Sequence, residues 1–195
     1  SRGQDPFLPY VEVKQKDNVR IAGLAYFSGD RLVGITDPLE IGFYMLLKAV
    51  NPAGYTSYKR IPGTDTFVMF RATWRSVKTN VKIENGLPHF LIEAHEEGEI
   101  DEKYGKTLGL DKEAQIKAIE KQLAKGADRA LKAFIQETQA KESDILGLGE
   151  YVRAKQPKYW NEHVKTAEEW HKIYRNLSIE VKTQFSIRRV GMKAR

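Results

Sequence analysis

Reactive side chains do chemistry only when the chain brings them together at suitable spacings, and this 195-residue sequence offers few such spacings. His89 and His95, with Glu93 between them, would lie on one face of a strand, which is the raw material of a metal site. That face is also the one expected to meet water, so an exposed polar row is the simpler reading. His163 and His171 stand eight residues apart, without the i, i+4 spacing of a helical zinc motif, and read as helix-surface residues. No serine occupies a G-x-S-x-G elbow. The carboxylate pairs Glu96-Glu97 and Glu168-Glu169 are sequence neighbours that diverge in direction, and they read as solubilising charges.

A second candidate is the Gly-Leu-Gly within KESDILGLGEYVRAKQPKYW, Lys141 to Trp160. Each glycine inside a helix costs about 1 kcal/mol relative to alanine, so Gly147 and Gly149 need a reason. A phosphate loop would require a strand before it and a glycine-rich turn opening a helix. Here a long helical pattern precedes it, and neither G-x-G-x-x-G nor G-x-x-x-x-G-K is present. The glycines therefore read as a helix junction or a close packing contact, and no cofactor is expected. Basic residues interleave with aromatics in RATWRSVKTNVK and SIRRVGMKAR, but Trp74 and Phe185 fall on apolar faces and no RNA-recognition pattern is present, so no nucleic-acid partner is expected. Lys182, Arg188, Arg189, Lys193 and Arg195 cluster on and after the last strand and form a candidate basic contact surface.

Composition narrows the classes further. The chain carries 32 Lys plus Arg against 26 Asp plus Glu, a net charge of +6 that favours an anionic partner, although both signs are interspersed as on an ordinary solvated surface. It contains no cysteine, which rules out disulfides, thiolate metal sites, a cysteine nucleophile and an acylated anchor within this sequence. No apolar run approaches the roughly 20 residues that span a bilayer, and SRGQDPFLPY lacks the features of a signal peptide. With 41% hydrophobic residues the chain is long enough for one well-buried core, so a single domain over 1–195 is expected, with 1–17 an irregular leader.

The elements that would position these residues follow from periodicity. VRIAGLAYFSGDRLVGI reads as a hairpin turning at Ser28-Gly29-Asp30. Asp37, Pro38 and Glu40 form a capping box that opens a helix with Leu39, Phe43, Leu46, Leu47 and Val50 on one face, stopped by Asn51-Pro52. Asn85-Gly86 marks a second hairpin, in which Val81 faces Phe90, Thr79 faces Ile92 and Val77 faces Ala94. Upstream the apolar phase moves to Val68, Phe70, Ala72 and Trp74, which calls for a bulge near Arg75-Ser76. A helix of about 30 residues starts at Asp111, with Ile119, Leu123 and Phe134 on its stripe and Gly126 as a bend or close contact. Shorter helices follow, one capped by Thr166 and Glu169, and LSIEVKTQFSIRRV alternates as a long half-buried strand. The order predicts an α+β fold: one antiparallel sheet of about four to five strands, with several helices packed on one face, one of them long.

With that order in place, the Gly-Leu-Gly region resembles a family signature. Asp144, Ile145, Leu146, Gly147, Leu148 and Gly149, followed by Pro157, Trp160 and the alternating last strand, resemble the C-terminal region of the Ger(x)C proteins, the C subunits of spore germinant receptors. The stretch IAGLAYFSGDRLVGITDPLEIGFYMLL, with Glu40 early in its helix, resembles the family's N-terminal hairpin and helix, although Ile41-Gly42 stands where members often carry Arg-Gly. The resemblance implies structural roles for Glu40, Asp144, Gly147, Gly149, Pro157 and Trp160. It also implies a non-catalytic lipoprotein subunit that works with two membrane-spanning partners, the A and B subunits, in nutrient-triggered germination. Its place would be the spore inner membrane, facing outward from the core, held by an upstream lipid anchor that this chain lacks. Beside it stands a small-molecule binder or hydrolase whose site only the fold would reveal.

Overall fold

A computed structural model describes residues 3–15, 18–51, 56–61, 63–106 and 112–190, the Ser57 side chain excepted. Pro52, Asp111, Lys193 and Arg195 lie outside the described residues. The fold is α+β. Its strands form two sheets rather than one: a three-stranded sheet in the order β1 (Phe7–Lys14), β2 (Asn18–Ser28), β3 (Arg31–Ile35), and a four-stranded sheet in the order β4 (Thr56–Arg60), β5 (Phe67–Glu84), β6 (Leu87–Tyr104), β7 (Ser178–Val190). The helices are α1 (Pro38–Leu47), α2 (Glu113–Ala140), α3 (Leu148–Lys155), the short α4 (Pro157–Tyr159), which runs into a π-helical turn at Trp160–Val164, and α5 (Ala167–Tyr174).

The expected irregular leader is in fact largely a strand, since Phe7 to Lys14 pair antiparallel with Tyr26 to Asn18. The chain divides into two compact units. One comprises Ser1–Tyr44, Thr79–Leu91 and Lys132–Glu180; the other comprises Met45–Lys78, Ile92–Leu131 and Val181–Arg195. Each is assembled from three separated segments, so no single cut in the sequence isolates either.

In the second unit, α2 lays Ile119 and Leu123 on a core of Ile61, Val68, Phe70, Ala72, Ile100 and Phe185. The same helix deals with the edge of β7. Asp128 Oδ1 accepts from Thr183 N at 2.8 Å and Glu120 Oε1 from Ile187 N at 2.7 Å, so carboxylates occupy backbone donors that an edge strand would otherwise offer to another chain. Gly126 neither meets a close contact nor interrupts the helix, because a Cβ there would have nothing within 4 Å. Gly126→Ala is accordingly expected to stabilise the protein by about 0.5–1 kcal/mol in urea unfolding, through the lower entropy of the unfolded chain.

Strand β6 buries alternate residues from Pro88 to Ile100 without a break, whereas β5 passes from Val68, Phe70 and Ala72 to Arg75 and Val81. The change of phase falls at Thr73-Trp74, ahead of the position expected. Trp74 is consequently 47% exposed rather than on the apolar face, with its ring edge-on to His95 at 5.4 Å. The inward phase also carries Glu96 inside. Glu96 is 4% exposed and not a solubilising charge: its Oε1 accepts from Arg75 Nε at 2.5 Å. Burial lowers the pKa of nearby Lys59, while the Glu96 charge opposes that shift.

In the first unit the capping box forms as expected. Asp37 Oδ1 accepts from Leu39 N and Glu40 N, and Glu40 Oε2 accepts from Asp37 N at 2.8 Å. Helix α1 ends at Leu47, and Leu39 and Val50 are 68% and 40% exposed instead of facing a core.

Candidate functional site

Local geometry builds the site around Asp144. After α2, the chain reverses at Glu142, whose φ is +53°, and Gly147 adopts φ +72° to start α3. This is a left-handed conformation that glycine holds at little cost. The turn aims the amides of Leu148 and Gly149 back at the Asp144 side chain, which accepts them at 3.0 and 2.8 Å. The carboxylate thereby caps the helix from a position in front of its N-terminus.

A third donor comes from another helix. Trp170 Nε1, on α5, donates to Asp144 Oδ2 at 2.9 Å. Thr166 Oγ1 caps α5 by accepting from Glu169 N, and the side chain of Gln139 at the end of α2 donates to Tyr174 O and Leu177 O beyond it, so α5 is fixed at both ends. Trp170 packs between Trp160 and Tyr174, with centroids 5.9 and 6.2 Å away and the rings tilted by 40° and 39°. Pro157 occupies the first turn of α4, which leads into Trp160.

The chain's first described residues complete the enclosure. Asp5 N donates to Asp144 O at 3.0 Å, and Asp144 N donates to Asp5 Oδ2 at 2.7 Å. Gly29 N donates to the other Asp5 oxygen, and His171 Nε2 lies 2.9 and 3.0 Å from the two. Gly3 exchanges bonds with Glu150, its N reaching the carboxylate and its O accepting Glu150 N, while Gln4 Nε2 donates to Ile145 O. Gly149 lets this segment approach: a Cβ there would stand 2.7 Å from Gly3 Cα and 2.7 Å from Trp170 Nε1.

Asp144 is wholly buried, and desolvation pushes its carboxyl up to about 6, against the opposing effect of the three donors and with a further rise from the Asp5 charge. Asp144, Asp5 and His171 are acid–base groups by type. Asp144 has no exposed surface, so it meets no substrate in this conformation, and its hydrogen bonds go to the protein's own backbone and indole.

The sequence-derived motif is therefore drawn together in part. Asp144, Gly147, Gly149 and, through Trp170, Trp160 form one cluster. Glu40 serves the α1 cap, and burial raises its carboxyl, opposed by the Asp37 amide and reinforced by the Glu137 charge. The cluster also contains residues that sequence reasoning missed. His171 is no ordinary surface residue, with 15% of its side chain exposed beside a 6% exposed Asp5. Of the basic residues on the last strand, Lys182, Arg188 and Arg189 are exposed, and Arg188 is held by Glu97 through two hydrogen bonds. His95 Nε2 lies 2.9 Å from Ser186 Oγ, and among the described residues no group of three or more His, Asp or Glu side chains is arranged to hold a metal ion.

Residues 22–191 match the family described as spore germination B3/GerAC like, C-terminal. The chain is 24% identical over 192 residues to spore germination protein GerQC of Bacillus cereus, covering 97% of this chain and 50% of that protein. It is 30% identical over 132 residues to spore germination protein KC of Bacillus subtilis (strain 168), covering 67% of this chain and 31% of that protein. The crystal structure of the GerBC protein has the same fold, with a TM-score of 0.78 at 20% identity, over 95% of this chain and 57% of that one. The chain thus spans about half the length of GerQC and less of KC.

Proposed function

The chain belongs to the spore germination B3/GerAC-like C-terminal family, the C subunits of germinant receptors, and from that membership we propose that it is a non-catalytic docking domain of such a receptor. The observation that carries the non-catalytic part is the complete burial of Asp144. Within the family motif, Asp144 is spent on the amides of Leu148 and Gly149 and on Trp170, against which Trp160 packs, and Gly149 admits the segment at Gly3, so the Asp144 carboxylate is committed to the fold.

The partners we assign are the receptor's two membrane-spanning subunits, A and B, with membrane attachment supplied by a lipid outside this chain. Among the described residues no helix is long and apolar enough to cross a membrane. Co-purification tests the assignment: the tagged chain should retain the A and B subunits from detergent-solubilised spore membranes, and failure to retain either would contradict it.

The site proposed is the spore inner membrane, facing outward from the core, where a net charge of +6 would add weak attraction to anionic lipid, screened beyond about 8 Å at physiological salt. Lys182, Arg188 and Arg189 are the exposed basic residues of the last strand on which that attraction would act, Arg188 while paired with Glu97. In flotation, the chain is expected to stay behind from neutral vesicles and to bind anionic ones weakly, losing that binding as salt is raised. Salt-resistant binding to neutral vesicles would show attachment by the chain's own apolar surface.

A further inference from the structure

The three-stranded sheet leaves an apolar strip uncovered. Val11 pairs with Ile21 and Val13 with Val19, so these four side chains share one face of the β1–β2 ribbon. They are 54%, 59%, 76% and 70% exposed in that order. The opposite face carries Glu12, Lys14 and Arg20, joined by ion pairs of 3.3 and 3.0 Å. At this end the ribbon is therefore amphipathic, with its charges gathered on one side, while farther along β1 that other face carries the exposed Leu8 and Tyr10. Along β1, Phe7 and Pro9 stand on the same face as the strip and pair with the buried Tyr26 and Leu24. The strip thus continues, past a register shift between Tyr10 and Val11, a face that is core lower down the sheet, and β1 is that sheet's edge.

Its place in the sequence indicates what covers it. The C-terminal family match begins at residue 22, so β1 and the first four residues of β2 stand outside it. The match to GerQC, by contrast, takes in 97% of this chain yet only half of that relative. The strip therefore lies in the part of the chain next to the matched C-terminal stretch, in a family whose members carry as much protein again.

We propose that Val11, Val13, Val19 and Ile21 form an intramolecular docking surface, covered in the full-length protein by the region that family members carry outside this C-terminal stretch. Size favours a tethered occupant. Four side chains fall well short of the roughly 800 Å² that each partner contributes to a stable interface between separate proteins. A linked region needs far less, because its effective concentration is high. A lipid surface fits poorly, since interfacial anchors are rich in Trp, Tyr and long basic side chains rather than in a flat row of β-branched residues. This inference does not depend on the receptor-docking function.

This chain contains no cysteine, so each substitution adds one thiol to it, and labelling of the unsubstituted full-length protein is subtracted from that of each full-length variant. Val13→Cys places the sole thiol of this chain in the strip, and Lys14→Cys places it on the charged face; both sites are exposed, so neither variant should disturb folding. Maleimide labelling is compared between the 195-residue chain and the full-length protein carrying the same substitution. Labelling at position 13 should be about tenfold slower in the full-length protein, with position 14 changed by no more than about twofold. Equal rates at position 13, or a full-length protein with no further region, would overturn the proposal. Protection of the 195-residue chain that grows with its own concentration would assign the strip to a second copy, and protection seen only on adding phosphatidylcholine–phosphatidylglycerol vesicles would assign it to lipid; either would overturn it too.

Discussion

Gly149→Val should lower the melting temperature by about 6–12 °C, the shift expected for about 3 kcal/mol in a chain of this size. The magnitude follows from what surrounds the position. A Cβ would stand 2.7 Å from Gly3 Cα and 2.8 Å from Gly3 O, and backbone held by its own hydrogen bonds to Glu150 cannot swing aside as a long side chain can. Gly147 gives the contrast. There the three atoms nearest a Cβ all belong to the flexible Gln4 side chain, at 3.0 Å and beyond, so Gly147→Ala should cost chiefly the strain of φ +72°, about 1–2 kcal/mol. Gly147→Val adds bulk to that strain and should also melt below wild type. Calorimetry of the variants checks the order. A Gly149→Val protein that melts with wild type would mean that the Gly3 segment does not lie against α3.

Removing the carboxylate should cost more. Asp144→Ala strands three buried donors, Leu148 N, Gly149 N and Trp170 Nε1, and at about 1–3 kcal/mol for each unsatisfied group the loss is a large part of the 5–15 kcal/mol that holds most domains. A milder variant isolates the charge. The carboxyl of Asp144 is raised to about 6 in the folded state, so the folded protein holds this proton more tightly than the unfolded chain does. The resulting stabilisation is present at low pH and is lost as pH rises from about 4 to above 6, a change of about 3 kcal/mol. Asp144→Asn cannot titrate there. Its stability deficit relative to wild type should therefore be largest near pH 4 and should shrink by about that amount toward pH 7. Urea titrations of the two at several pH values give the difference curve, and a deficit independent of pH would contradict the assignment.

What the sequence disclosed was whatever rests on neighbours. The Asp37–Glu40 capping box, the Asn85-Gly86 turn and the alternation of β7 are all contained within a few residues and stand in the structure, and of the Thr166–Glu169 box the Thr166 half forms while the Thr166 amide turns to Val164 O. Strand β1 was hidden by Pro9, which argues against a strand in general but is tolerated on an edge, where β1 lies. Trp74 lies on the face opposite to the one its spacing suggests, because a pleat tells inside from outside only while its register holds, and β5 changes phase at that residue. The signal for Glu96 is present in the sequence, since it continues the inward series Phe90, Ile92 and Ala94, but its charge argues the other way. The Asp5–His171 pair spans 166 residues and has no local signature. Its two members become neighbours only once the fold has formed. In the same way Gly147 and Gly149 advertised a requirement for small residues without showing that Gly3 and Trp170 impose it.

If the Asp144 loop holds the fold together instead of opening to a ligand, its amides should report that directly. In native-state hydrogen exchange followed by NMR, Leu148 N and Gly149 N should belong to the slowest class, with an opening free energy equal to the global unfolding free energy from urea under the same conditions. Exchange through a local opening several kcal/mol below the global value, slowed further when a germinant nutrient is added, would contradict the account and make the loop a binding site.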